Sequence, residues 1–429
     1  MNATTSTDPA AAAASPETPV LRVLIADKFE ASGVATLEAG GFAVEVDPDL
    51  GPDTLPEAIS RVRPQVLVVR STKVRADAIE ASDGLELIVR AGAGYDNIDV
   101  AAASRRGILV SNCPGKNAVA VAELAWSLIL ACDRRVPDQT ADLRAGVWNK
   151  KEYQKAQGLK GRTVGIVGFG QIGREVANRA KAFGMPVLAW SRSLTEEAAA
   201  EAGVGWCESL LNLAKLSDVV SVHVAATPDT EGLIGEKFFS QFRPGGIFVN
   251  TSRGSVVDEQ ALATAVRDKS IRAGLDVFAK EPGGGTGQFE DPLITLPGVY
   301  GTHHVGASTD QAQRAIAAET VRVIEVFDRS GHAPNCINRA AATPATELLS
   351  VRHLNRPGVL AHVFYTIGQA GINVEEMENV IYEGAEAACA RIQLDAPLTA
   401  EHLDAIRTNP NVLAVTSATL ARGKSGDAR

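Results

Sequence analysis

Apolar runs at residues 21–26, 42–46, 64–69, 85–89 and 108–110 alternate with more polar stretches of helical length. Short apolar strands separated by helices predict a parallel sheet with helices on both faces. Residues 119–131 are apolar all round, which predicts a buried helix and a crossing into a second domain. The alternation then resumes, with strands predicted at 164–167, 186–190, 219–223, 246–250 and 273–278. A long helix over about residues 309–327 returns the chain to the first domain, and two such crossings frame a cleft with a hinge. After a linker at 341–344, the last segment reads strand, helix, two strands joined at Glu383-Gly384, helix, strand, a ferredoxin-like βαββαβ unit. The predicted class is α/β. Two Rossmann/flavodoxin-like parallel-sheet domains (19–117 with 309–340, and 118–308) flank a cleft, and a small domain at 346–421 follows.

Composition narrows the choices. The 429 residues, 45% of them hydrophobic, suffice for roughly three domains of about 150 residues. A net charge of −9 without a Lys/Arg stripe argues against nucleic-acid partners. No apolar run suggests a membrane span. The five cysteines (Cys113, Cys132, Cys207, Cys336 and Cys389) are odd in number and form no Cys-x-x-Cys pair. Reduced thiols, a cytoplasmic location and no metal site are therefore expected. Residues 1–18 are rich in Ala, Thr, Ser and Pro, and predict a disordered tail rather than a secretory signal.

The strand at 164–167 runs directly into Gly168-Phe-Gly-Gln-Ile-Gly173. Here Gly168 would make the tight turn, Gly170 would admit a pyrophosphate against backbone, and Gly173 would let helix pack on strand. Gln171 and Ile172 head the helix whose free N–H groups and dipole favour phosphate. This is a dinucleotide-binding fingerprint. Its mid-chain position, with about 160 residues before it, predicts a cleft shared by cofactor and substrate.

Four further motifs follow in order: Asn250-Thr-Ser-Arg-Gly254, Gly274-Leu-Asp-Val-Phe278, Lys280-Glu-Pro282 and His303-His-Val-Gly-Ala-Ser308. From Val20 onward the chain resembles the D-2-hydroxyacid dehydrogenases. The resemblance implies hydride exchange between NAD or NADP and a small 2-hydroxy or 2-keto acid. Such chemistry needs a base for the hydroxyl proton and an anchor for the carboxylate. His304 matches the family's base, Glu281 the carboxylate that orients it, and Arg253 the two-pronged anchor. Ser191, Arg192, His223, Thr251, Ser252 and Asp276 match cofactor-pocket positions, Asp276 toward the nicotinamide amide. Arg70, Ser71, Arg90, Ala91, Gly92 and Asn117 match the substrate wall, where residues 90–94 would offer backbone N–H groups to a carboxylate. His303 faces the opposite way from its neighbour and is read as a bystander.

Departures from the family sharpen the reading. Ser191-Arg192-Ser193 stands where many NAD-dependent members carry an aspartate, which favours NADP slightly, and Ala225 stands where proline is frequent. Arg70, Lys73 and Arg90 suit a phosphorylated acid. The last domain, through 351–360 and 369–374, resembles an ACT domain, which implies that His353, Asn355 and Asn373 take L-serine between paired copies. A homo-oligomer follows, dimer or tetramer. The likeness is greatest to members that oxidise 3-phospho-D-glycerate to 3-phosphohydroxypyruvate in L-serine synthesis under serine feedback. The alternatives are a glyoxylate/hydroxypyruvate reductase or a dinucleotide-sensing co-repressor-like scaffold.

Overall fold

In a strand buried on both faces every residue is apolar, and Val66–Val69 reads Val-Leu-Val-Val with all of it buried. The computed structural model describes residues 20–282, 286–340 and 342–420. The tail expected at 1–18, Ala341 of the linker and residue 421 lie outside the described residues. Two units meet in sequence between Asn338 and Arg339.

In the first unit, strands β1 (Arg22–Ile25), β2 (Ala43–Val46), β3 (Val66–Val69), β4 (Leu87–Arg90) and β5 (Leu109–Asn112) form a parallel sheet in the order β2-β1-β3-β4-β5. Successive side chains take opposite faces. Leu24, Leu67, Ile88 and Val110 join one core, whereas Val23, Ile25, Val66 and Val68 join another with Ile316, Val323, Ile324 and Phe327. The latter four belong to helix Asp310–Ser330, which thus covers the first sheet late in the chain.

A second parallel sheet holds β6 (Val164–Val167), β7 (Val187–Trp190), β8 (Gly205–Trp206), β9 (Val219–Val222), β10 (Ile247–Asn250), β11 (Arg272–Leu275) and β12 (Val299–Gly301). Their order, β12-β11-β10-β9-β6-β7-β8, reverses direction between β6 and β9, which opens a crevice at the carboxyl ends. Helix Ala118–Arg134 backs this sheet through Ala122, Ala125, Trp126 and Ile129. Its sequence predicted burial all round, but Val119 and Leu130 are 40% and 36% exposed. Only the stripe that meets the sheet is covered, and the helix is amphipathic in effect.

The second unit is an antiparallel sheet of β13 (Glu347–Leu354), β14 (Val374–Ile381), β15 (Ala387–Leu394) and β16 (Val412–Thr419), ordered β14-β15-β13-β16. Leu349, Val351, Val363, Ile367, Ile392 and Ile406 form its core beneath two helices. Among the described residues no helix is long and apolar enough to cross a membrane.

Candidate active site

The site begins at the β6/β9 reversal. Gly168 has φ +94°, and a Cβ there would lie 2.6 Å from the His223 carbonyl, so only glycine makes this turn. A Cβ on Gly173 would collide with the Gly168 carbonyl, whereas the space over Gly170 is open to 4 Å. Helix Gln171–Ala182 starts at Gly170 with no side-chain cap, which leaves its first N–H groups for a ligand. Gln171 lies against Gly115 of the crossing segment, and Ile172 packs on the core behind. An open cradle over an uncapped helix fits a dinucleotide pyrophosphate.

Beside the cradle, Asn250 ends β10 and shapes the turn after it. Its Oδ1 accepts from the Ser252 amide (3.0 Å) and hydroxyl (2.7 Å), and its Nδ2 donates to the Arg253 carbonyl at 2.9 Å. The His223 ring is held by Ser221 at 2.8 Å and, at 3.5 Å, by Thr251. Burial pushes its pKa down to about 3, so the imidazole is neutral at neutral pH.

Asp276, 1% exposed at the end of β11, fastens the loop that carries His304. Its carboxylate accepts from Thr302 Oγ1 (2.6 Å) and from the amides of Val305 and Gly306 (both 2.9 Å), and its carbonyl accepts from the His304 amide at 2.8 Å. Asp276 therefore fastens its own loop through three bonds to its carboxylate, two at Oδ1 and one at Oδ2. His304 sits at φ +53°, and its Nδ1 lies 2.7 Å from Glu281 Oε2. Glu281 Oε1 accepts from the Phe278 amide at 2.9 Å. Burial raises the Glu281 pKa, but the His304 contact, the Phe278 N–H and the Arg253 charge together hold it below the usual range. With Nδ1 engaged, Nε2 has no partner among the described residues and is the nitrogen free for proton transfer.

The facing wall comes from the first sheet. Arg253 reaches Asp96 there through Nε (3.2 Å) and Nη2 (3.0 Å), and Arg70 Nη2 meets Ser308 at 3.2 Å. Among the described residues, Arg90 Nε and Asn117 Oδ1 are buried without a partner. Burial, and then the neighbouring Arg253 cation, lower the Arg90 pKa to about 10, which still leaves it charged at neutral pH.

Several donors of this wall already have partners within the protein. The Ser71 amide (3.1 Å) and hydroxyl (2.7 Å) both donate to Asp27, which also takes the amides of Arg70 and Thr72. The buried Asp27 carboxylate thus already engages the hydroxyl and amide of Ser71, a residue expected on the substrate wall. The Ala91 amide extends the ladder to the Val69 carbonyl, and the Gly92 amide folds back to the Arg90 carbonyl, so neither is free for a substrate carboxylate. Asp27 and Asp96 had no local signal, since each acts through contacts that only folding creates, whereas Asn250 heads a motif legible in the sequence and bonds two and three residues on.

Arg192 pairs with Asp229 at 2.9 Å, both side chains exposed, beside half-buried Ser191. In the second unit, buried His353 places its ring nitrogens near the Leu354 carbonyl (2.8 Å) and Asn379 Oδ1 (3.2 Å). Asn355 donates to the Ala385 carbonyl and Asn373 to Glu375. The ladder pairs Leu354 with Ala387 but Val374 with Leu394, so Asn373 lies at the opposite end of the sheet from the other two. Within one copy these three do not converge on one ligand.

Residues 126–306 match the family described as D-isomer specific 2-hydroxyacid dehydrogenase, NAD binding domain. The chain is 39% identical over 321 residues to a D-3-phosphoglycerate dehydrogenase of Methanocaldococcus jannaschii, covering 74% of this chain and 60% of that protein. It spans about three fifths of the length of the D-3-phosphoglycerate dehydrogenases it matches first. To a hydroxypyruvate reductase of Thermotoga maritima it is 46% identical over 261 residues, 60% of this chain and 83% of that one. Among solved structures, the NADPH-dependent glyoxylate/hydroxypyruvate reductase of Sinorhizobium meliloti, in complex with NADP and malonate, superposes with TM-score 0.63 at 28% identity, covering 75% of this chain and 99% of that one. By its cradle, its motifs and these relatives, the chain belongs to the D-isomer specific 2-hydroxyacid dehydrogenase family.

Proposed function

We propose that the protein oxidises 3-phospho-D-glycerate to 3-phosphohydroxypyruvate with a nicotinamide dinucleotide, as a D-3-phosphoglycerate dehydrogenase does. The observation that carries this is the His304–Glu281 pair at 2.7 Å, in one unit with the open glycine cradle and the Arg253 fork. The bound nicotinamide supplies the hydride acceptor. His304 Nε2 takes the hydroxyl proton, and Glu281 stabilises the imidazolium that forms. Arg253 holds the carboxylate and polarises the carbonyl. The phosphate falls to Arg70 and Arg90, the latter a cation with an unpartnered buried N–H. Residues 19–117 with 309–340 serve as the substrate lobe, 118–308 as the dinucleotide lobe and 346–421 as an ACT regulatory domain. The ends occupied by His353 and Asn373 call for L-serine bound between two copies, hence a homo-oligomer, in a reducing cytoplasm that suits the free cysteines. Arg192, whose counter-ion Asp229 is exposed, favours NADP.

The second reading is a glyoxylate or hydroxypyruvate reductase, favoured by Ser191-Arg192 and by the 46%-identical relative. A panel of phosphorylated and unphosphorylated acids with both coenzymes, with and without L-serine, separates them. Removal of the phosphate is expected to lower kcat/KM by about 100-fold, the scale of lost charge-assisted contacts. An unchanged kcat/KM selects the reductase. Dinucleotide binding without turnover of any acid selects a scaffold.

A further inference from the structure

Arg253 carries the anchoring role in the reading above, yet most of its contacts are with the protein. Nε lies 3.2 Å from both Asp96 oxygens, Nη2 lies 3.0 Å from Oδ1, and Nη1 donates to the Ser252 carbonyl at 2.7 Å. A guanidinium has five N–H donors in a fixed plane. Pairing through Nε and Nη2 is side-on, so one N–H on each of Nη1 and Nη2 is left, side by side at the end of the plane. That remaining pair is the fork that matches a carboxylate.

Asp96 comes from the other wall of the cleft, and its loop is pinned. Asn97 donates to the Thr72 carbonyl at 2.8 Å, the Val74 amide donates to the Asn97 carbonyl at 2.8 Å, the Asp99 amide donates to the Val74 carbonyl at 2.9 Å, and Asn112 donates to the Ala93 carbonyl at 2.6 Å. Gly94 completes the fit, since a Cβ there would overlap Arg253 Nη2.

We propose that Asp96 is a positioning residue: it clamps Arg253 side-on across the cleft and so presents the end-on fork to the substrate carboxylate. The inference rests on Arg253 being the carboxylate anchor. An incoming anion does not compete with this clamp, because it approaches a different edge, and Arg70 and Arg90 offset the added negative charge. Burial raises the Asp96 pKa, but the bond to Arg253 and its charge bring it below the ordinary value, so the clamp is ionised at neutral pH.

The test is steady-state reduction of 3-phosphohydroxypyruvate, hydroxypyruvate and glyoxylate by the full chain carrying D96A, D96N, D96E, R253A or D96A/R253A. Expected in D96A is a fall in kcat/KM of about 10–100-fold, divided between higher KM and lower kcat, as for a misplaced binding group. D96E should recover part of it, and D96A should add little in the R253A background. Dinucleotide affinity, read by fluorescence quenching, should stay the same. If D96A does not fold, D96N takes its place. A lower KM with unchanged kcat would make Asp96 a competitor of substrate and overturn the proposal, as would an undiminished D96A loss on top of R253A. If R253A itself leaves KM and kcat unchanged, it is the anchoring reading that fails.

Discussion

Each parallel sheet in the first unit has a point where strand order reverses, and the two crevices have opposite fates. Between β1 and β3, three successive amides and the Ser71 hydroxyl converge on the buried Asp27 carboxylate. Between β6 and β9, the amides of helix Gln171–Ala182 meet no side chain, and the space above Gly170 is empty. The physics is the same in both, backbone dipoles aimed at an anion. In the first crevice the chain supplies the anion itself, which makes a rigid wall. In the second it leaves the position for a ligand. A nest of amides therefore points to a binding site only when its donors lack an internal acceptor.

The sharpest way to break the open crevice is Gly168→Ala. The substitution puts a Cβ 2.6 Å from the His223 carbonyl at φ +94°, so the turn must move. Dinucleotide affinity is expected to fall by about 100-fold or more, since strain of a few kcal/mol at this turn is comparable with that loss. Calorimetric titration with NADPH and NADH measures it. Wild-type affinity would mean that the turn does not hold the phosphates.

The filled crevice should respond differently. Asp27→Ala orphans three amides, that of Thr72 buried, and is expected to lower stability by about 2–4 kcal/mol in urea unfolding, while dinucleotide affinity persists in the folded fraction. A stability-neutral D27A would show that the nest needs no internal anion.

A smaller effect lies where the regions join. Glu319, 7% exposed on helix Asp310–Ser330, meets Lys116 of the crossing segment, Arg322 and Asn335. The Arg322 bond, which outweighs the opposing effect of burial, together with those to Asn335 and Lys116, lowers its pKa to about 2. A carboxyl depressed on folding stabilises above its unfolded pKa, near 4.3, and loses that contribution as pH falls toward the folded value. Glu319→Gln should cost about 2–3 kcal/mol at neutral pH, with the gap to wild type narrowing below about pH 4. A gap independent of pH across that window would exclude the ionised network as its cause.

The smallest expected effect concerns coenzyme choice. Arg192 and Asp229 are both exposed, and such pairs are worth at most about 1 kcal/mol. Arg192→Ala should lower the preference for NADPH over NADH by about 10-fold through loss of a charge-assisted contact. An unchanged ratio would remove Arg192 from coenzyme selection.

What the sequence disclosed followed range. The strands, the glycine turn and the βαββαβ order depend on neighbours a few residues apart, and they were legible. The motif residues His304 and Glu281 are 23 positions apart and were legible as members of an ordered set. Asp96 with Arg253 is separated by 157 positions and Arg70 with Ser308 by 238, so neither pairing leaves a local pattern. The free N–H groups expected at Ala91 and Gly92 failed for a related reason. Whether an amide is free depends on which strand lies beside it, and β3 and the turn itself had already taken them. The burial all round expected of residues 119–131 is not met, because composition does not reveal which stripe of a helix meets a sheet.

The central claim is that His304, oriented by Glu281, moves the substrate proton while the cradle beside it holds the dinucleotide. It is tested most directly by His304→Asn, with reduction of 3-phosphohydroxypyruvate and dinucleotide binding measured on the same preparation. The account predicts that kcat falls by about 100- to 10,000-fold while dinucleotide affinity stays at the wild-type value. Turnover at the wild-type rate would contradict it.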